Sequence, residues 1–215
     1  MSETHNVKSV DEDAFCDCVS ANRLNLQRFL DEFVETVQLF ELLERGGGPP
    51  SVGVFGGVFI KFRIIAAKQG ALSLFHFKNS LEALREYIYR CPRTRYVDGK
   101  KLREAKSLFD RYFPNADNTR NAVAHAGEIY KSPAAIRQHE QKQDYRGIGV
   151  FSAAGGLSIQ SLYERTYAIG WIGQVFEVHM DTSSIQKLAE VLNIVEEAFI
   201  KAEAGTSGAP PPSGS

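Results

Sequence analysis

A chain of 215 residues, 43% hydrophobic and 24% charged, is long enough for one full core, too apolar for a disordered chain and too polar for a membrane bundle. A formal net charge of -1 removes any global attraction to nucleic acid, so a nucleic-acid function has to rest on a local patch. Residues 1–18 carry neither a basic start nor an apolar stretch, and no later segment holds about 18 uninterrupted apolar residues, which together point to a cytoplasmic protein without membrane contact.

Three cysteines, Cys16, Cys18 and Cys91, are too few and too odd for a disulfide framework and fit a reducing compartment. No second Cys or His pair at ligand spacing accompanies Cys16-Asp17-Cys18, so no metal site is expected.

Residues 1–10 read as a disordered lead and 11–204 as a single domain. From Asp11 to Arg45 there is no proline or glycine, and Leu26, Leu30, Phe33, Val37 and Phe40 recur at steps of four and three, which predicts a long first helix. It is expected to stop at Gly46-Gly47-Gly48-Pro49-Pro50 and to return antiparallel. A second long helix is predicted from after Gly57 to about Arg90, with Ser73, Phe77, Leu81, Leu84 and Ile88 on its inner face, Gly70 kept inside as a close-packing point, and Cys91-Pro92 at its end. His76, between Phe75 and Phe77, reads as a core or rim histidine and not as a ligand.

A short third helix is predicted over Lys101 to Tyr112, with Leu102, Ala105, Leu108, Phe109 and Tyr112 inward. From Arg85 to Arg111 nine lysines and arginines face four acidic residues. Arg93, Arg95, Lys100, Lys101 and Arg103 are therefore candidate RNA-binding cations, although the same residues equally suit a solvated helix face. Asn115-Ala116-Asp117-Asn118 offers capping side chains to a fourth, short helix running through Thr119 to about Glu128.

Residues 131–147 are polar and turn-like. Over about 147–180 the apolar positions Ile148, Val150 and Phe151, then Leu157, Ile159 and Leu162, then Tyr167, Ile169 and Trp171, then Val175, Phe176 and Val178 predict a three- or four-stranded antiparallel meander, with turns at Gly155-Gly156 and Ile172-Gly173, packed on one end of the helices. Asp181-Thr182-Ser183-Ser184 caps a last helix that turns Ile185, Leu188, Leu192, Val195 and Phe199 inward, and 205–215 reads as a disordered Pro/Gly/Ser tail. The expected fold is mostly α: a helical bundle with a small antiparallel β-sheet inserted before the C-terminal helix.

One run carries chemistry, Arg120-Asn121-Ala122-Val123-Ala124-His125. Asn121 and His125 lie one helical turn apart and share a face, while Arg120 is about 140° away from His125 and reaches back with a long side chain. A guanidinium grips phosphate bidentately, an amide donates or accepts, and an imidazole moves protons near neutral pH. That set suits metal-free RNA cleavage, in which a ribose 2′-hydroxyl attacks the adjacent phosphorus and no cofactor is needed. A structural role, in which the same three side chains cap a helix or pair with Glu128 or with an acidic residue of the first helix and so fix the bundle, has comparable standing.

At these residues the chain resembles the HEPN superfamily, helical proteins marked by an Arg-x4-6-His motif in which Asn, Asp or His often follows the arginine. The resemblance extends over about residues 15–200: two long antiparallel helices, then shorter ones, with Arg120, Asn121 and His125 late in the chain. The inserted meander also looks like an uncharacterised bacterial branch of these proteins. The resemblance implies a metal-independent endoribonuclease of a toxin, defence or RNA-processing system, a homodimer whose paired motifs build a composite site, RNA as partner, and neither metal nor small-molecule cofactor. It equally admits a non-catalytic RNA-binding or protein-interaction module. Toxins paired with minimal nucleotidyltransferases commonly place a tyrosine two residues after the histidine; here Gly127 stands there, which argues against that pairing.

Overall fold

The computed structural model describes residues 6–46, 54–128, 131–139 and 160–206. It is mostly helical, with a small antiparallel sheet directly before the C-terminal helix. Helices α1 (Asn6–Gly46), α2 (Val54–Tyr87), α3 (Gly99–Tyr112), α4 (Ala116–Ala124) and α5 (Pro133–His139) precede strands β1 (Gln160–Tyr163), β2 (Thr166–Trp171) and β3 (Gln174–His179), and α6 (Thr182–Thr206) follows. Short 3-10 turns occupy Pro92–Thr94 and Ala126–Glu128. Among the described residues, no helix is long and apolar enough to cross a membrane.

Contacts divide the chain into two compact units, Met1–Phe29 with Phe77–Tyr112 and Gln186–Ser215, and Leu30–His76 with Phe113–Ile185, so α1, α2 and α6 each contribute to both. In the first unit the spacing of apolar residues becomes burial: Leu26 of α1, Leu81 and Leu84 of α2, Leu102, Ala105 and Phe109 of α3, and Leu188 and Val195 of α6 are all buried. Phe77 stacks on Phe109 with centroids 5.7 Å apart. Arg23 of α1 pairs with Glu196 of α6 at 2.5 Å, its guanidinium 4.6 Å from the Phe199 ring.

The same unit corrects the cysteine reading. Cys16 and Cys91 are joined by a disulfide across a separation of 75 residues, and Cys18 is the free thiol. Local spacing does not reveal such a pair, because the two residues meet only after α1 and α2 have packed.

In the second unit the three strands form a meander in the order β1-β2-β3. Its register pairs Tyr163 with Thr166 and Trp171 with Gln174, so both turns have two residues. Such turns follow the strand twist when the backbone is left-handed: Glu164 has φ 48°, Ile172 φ 47° and Gly173 φ 70°. The expected turn at Ile172-Gly173 is there. The expected strand residues 148–159 and the turn at Gly155-Gly156 lie outside the described residues, as do Gly47 to Pro50 and 207–215. Helix α4 packs on β2 and β3.

Gly70, inside α2 as expected, is a close-packing point. A Cβ there would sit 2.6 Å from Cε of the fully buried Met180 and 3.4 Å from Phe33, so the side-chain-free backbone is what lets the residue after the sheet approach α2. Two expectations on local structure change. The turn-like stretch after Lys131 contains α5, which starts because the Ser132 hydroxyl accepts a hydrogen bond from the Ala135 N–H at 3.1 Å and Pro133 occupies the first helical position. Asn115 stands at the N-cap of α4 without a side-chain cap; its carbonyl instead accepts the Thr119 hydroxyl at 2.8 Å. At α6 the expected cap is present, with Asp181 accepting the Ser184 N–H at 2.7 Å.

Two outcomes test this description. Ile172, β-branched and half exposed, holds a left-handed conformation that costs about 1–2 kcal/mol in an L-residue. Ile172→Asn is expected to raise the unfolding free energy by about 1 kcal/mol in denaturant titration, whereas a loss would mean that the isoleucine's contacts outweigh its strain. The denatured chain should expose one thiol to a colorimetric reagent without reductant and three with it. Cys91→Ser should cost about 2–4 kcal/mol, as for a crosslink closing a long loop.

Candidate functional site

The site is assembled by α4, the turn after it, α2 and the end of β2, all in the second unit. Ala116, Thr119 and Ala122 form the buried face of α4, so Arg120 and Asn121 are displaced onto a half-buried flank. The Arg120 guanidinium donates from Nη1 to Asn121 Oδ1 at 3.1 Å and lies 5.0 Å from the Phe75 ring of α2. This geometry holds a cation by its π-contact and by a neutral acceptor, with no carboxylate neutralising it among the described residues.

His125 departs from the expected placement. The helix does not continue to Glu128: it ends at Ala124, and His125 is its C-cap, with φ -105° and ψ 12°. The His125 N–H still reaches Asn121 O at 3.0 Å, one turn back as the spacing required. Beyond it the chain tightens into the 3-10 turn that brings Glu128 beneath the imidazole, with Nδ1 to Oε1 at 3.1 Å. The ring packs against Trp171 with centroids 5.7 Å apart and planes tilted by 32°. The side chain is 40% exposed, so solvent or a substrate reaches it.

A carboxylate on Nδ1 fixes the tautomer that carries its proton there and leaves Nε2 with a free lone pair. Trp171 sets the ring plane. His125 is thus an oriented acid–base group at the end of the helix that carries the Arg120 cation, and these are the two kinds of group that transfer of a phosphoryl ester to a neighbouring hydroxyl uses. Among the described residues no three His, Cys, Asp or Glu side chains gather as metal ligands would. No family model, curated protein or solved structure matches the chain.

The candidate RNA-binding cations belong to the first unit. There Arg93 pairs with Asp13 at 3.0 Å, and Lys101 meets Glu197, whose hydrogen bond and charge hold the ammonium above the ordinary lysine value. Arg103 donates to the Tyr89 hydroxyl at 3.3 Å, and Arg95 lies 4.9 Å from the Tyr96 ring. Lys100 is exposed. Two of the five cations are thus already matched by acids contributed from α1 and α6, a pairing across long sequence separations that a local charge count misses.

Sequence reasoning also missed Phe75 and Trp171. The chain's single tryptophan, placed at a strand end immediately before a turn, was the available signal. His76 is exposed and edge-on to Phe75 at 5.5 Å, a rim position.

The pairing with His125 lowers the pKa of Glu128: the imidazole's hydrogen bond contributes most, its charge and that of Lys131 add to it, and slight desolvation opposes. A depressed carboxylate stabilises the fold above its unfolded pKa, and that contribution is lost as pH falls through the lower folded value. The Glu128 carboxyl resonance should therefore titrate below the ordinary glutamate value of about 4.3 and return to it in His125→Ala. An unchanged midpoint in the variant would show that the imidazole is not held there.

Proposed function

We propose that this chain is a HEPN-like, metal-independent endoribonuclease acting as a homodimer in a toxin or defence system. The observation that carries the reading is the His125 imidazole anchored through Nδ1 by Glu128 at 3.1 Å, with Arg120 five residues upstream on the helix that His125 caps. In this mechanism Nε2 of His125 takes the proton of the ribose 2′-hydroxyl, whose oxygen attacks phosphorus. Arg120 stabilises the charge gathering on the non-bridging oxygens. The bond from phosphorus to the 5′-oxygen breaks, and that oxygen leaves with a proton from His125 of the partner subunit. The products are a 2′,3′-cyclic phosphate and a 5′-hydroxyl.

A second reading, a non-catalytic RNA-binding module of the same type, is favoured by one contact: the Arg120 guanidinium already rests on Phe75 and Asn121 and so has a structural use. The two readings differ in which step a substitution damages. For a nuclease, His125→Ala lowers the cleavage rate by roughly two to four orders of magnitude and leaves RNA affinity nearly intact, because acid–base groups act mainly in the transition state. Arg120→Ala weakens both. Cleavage persists in EDTA, and light scattering finds a dimer at tens of micromolar. Circular dichroism of each variant controls for unfolding. Wild type that cuts nothing in a broad RNA screen while both variants bind RNA equally would leave only the binding module.

A further inference from the structure

We propose that a cavity at the end of α2, in the first unit, seats one nucleotide of a single-stranded RNA, its base stacked on Tyr89 and its phosphates met by Arg90 and Arg95. The inference shares RNA as substrate class with the reading above, but it uses none of the residues of that site.

The cavity has a volume of about 320 Å³ and is lined by Tyr89, Arg90, Cys91, Thr94, Arg95 and Val97 among others. That is the low end of the range of roughly 300–1,000 Å³ for small-molecule clefts, a size for one nucleotide and not for a large cofactor. The floor is rigid. Cys91 is buried and crosslinked to Cys16, and the Thr94 hydroxyl bonds the carbonyl oxygens of Ile88 and Cys91 at 2.7 and 3.0 Å.

Tyr89 is the unusual element. It is 71% exposed, yet its hydroxyl accepts a hydrogen bond from Arg103 at 3.3 Å and rests on Gly99, where any Cβ would collide with it. An aromatic ring held by its rim, with most of its surface in water, loses little entropy when a planar base stacks on it. Arg90 lies 5.2 Å from the Phe15 ring, a contact that leaves its charge uncancelled. Arg90 faces Glu86 at 3.7 Å with both side chains more than half exposed, a pair worth little in water. Arg95 is exposed, rests on the half-exposed ring of Tyr96 at 4.9 Å, and has no carboxylate partner among the described residues. Fixed aromatic rings interleaved with arginines bind a base and its phosphate together, whereas an acidic peptide would use only the charges.

The test measures binding of a fluorescent 2′-O-methyl octanucleotide, which lacks the nucleophilic hydroxyl and cannot be cut. Tyr89→Ala is expected to weaken binding about tenfold or more, and Tyr89→Phe, which keeps the ring, to stay within about threefold of wild type. Arg95→Gln should weaken binding and reduce the salt slope by about one. Wild type that does not bind, Tyr89→Ala that binds unchanged, or a polyglutamate peptide that displaces the strand as well as unlabelled RNA would each overturn the proposal. Uridine or adenosine monophosphate competing as strongly as the octamer would assign the cavity to a free nucleotide and overturn the strand. If wild type cuts no RNA while the Tyr89 dependence holds, only the nuclease reading falls; if RNA is cut and Tyr89→Ala binds normally, only this one does.

Discussion

Four charged side chains determine where the sheet of the second unit rests. Arg165, in the β1–β2 turn, reaches Glu41 at 2.8 Å and Glu44 at 3.4 Å on α1. Arg63 of α2 joins Glu44 at 3.7 Å, donates to the Glu164 carbonyl at 2.9 Å, and lies 4.5 Å from the Phe40 ring. The carboxylates and Arg63 are about one-fifth to one-third exposed, so removing one partner strands a partly desolvated charge and costs far more than a surface pair would. The turn is tied a second time, by the Met180 N–H on the Arg165 carbonyl at 2.7 Å, and Met180 is the residue that Gly70 admits against α2. With the turn pinned, β2 has one position, Trp171 stands at its far end, and α4 lies across β2 and β3 with His125 against that indole. The orientation of the imidazole therefore depends on ion pairs that never touch it.

Much of this architecture was legible because burial repeats at helical spacing. Leu26, Phe33 and Phe40, or Leu81, Leu84 and Ile88, are all but inaccessible in the structure, and no long-range information was needed to see that they share a face. Gly70 was legible for a related reason: a glycine that weakens a helix survives only where its missing side chain is needed. What escaped are contacts between residues far apart in sequence. Cys16 with Cys91, Arg93 with Asp13 and Lys101 with Glu197 each join elements that no local pattern relates. The end of α4 was misplaced for a subtler reason. Gly127 was a stop signal just beyond the motif, yet nothing in residues 119–126 marks the earlier stop at Ala124, which comes with a tighter turn in which Glu128 reaches His125.

The motif is instructive because its structural and chemical uses draw on the same contacts. Glu128 on His125 secures the end of α4, and it also fixes the tautomer that chemistry needs. Arg120 on Phe75 packs α4 toward α2, and the same π-contact keeps a guanidinium in place without a carboxylate to cancel its charge. Packing in this region thus leaves intact the two properties that the proposed phosphoryl site requires, a cation unmatched by a carboxylate among the described residues and an imidazole nitrogen with an open lone pair. A purely structural arginine is ordinarily matched by an acid, as Arg23 is by Glu196.

If the chain binds RNA as proposed, the motif alone would not supply the affinity. A chain of net charge -1 has no long-range field for RNA, and one guanidinium and one imidazole supply few phosphate contacts. The first unit carries Arg90, weakly held by Glu86, Arg95 beside the Tyr96 ring, and the Tyr89 ring held at the surface by Arg103. Lys101 is held by Glu197 and Arg93 faces Asp13, so under the proposed reading few unpaired cations are left for phosphate, and stacking would provide the part of the binding energy that charge does not. Such an interface would tolerate many sequences, since every base has a π-face, and its salt dependence would be shallow. Discrimination among RNAs would then fall to the unpaired, stackable character of the strand and not to base edges, so that duplex RNA, whose bases are already stacked on one another, is the poor ligand.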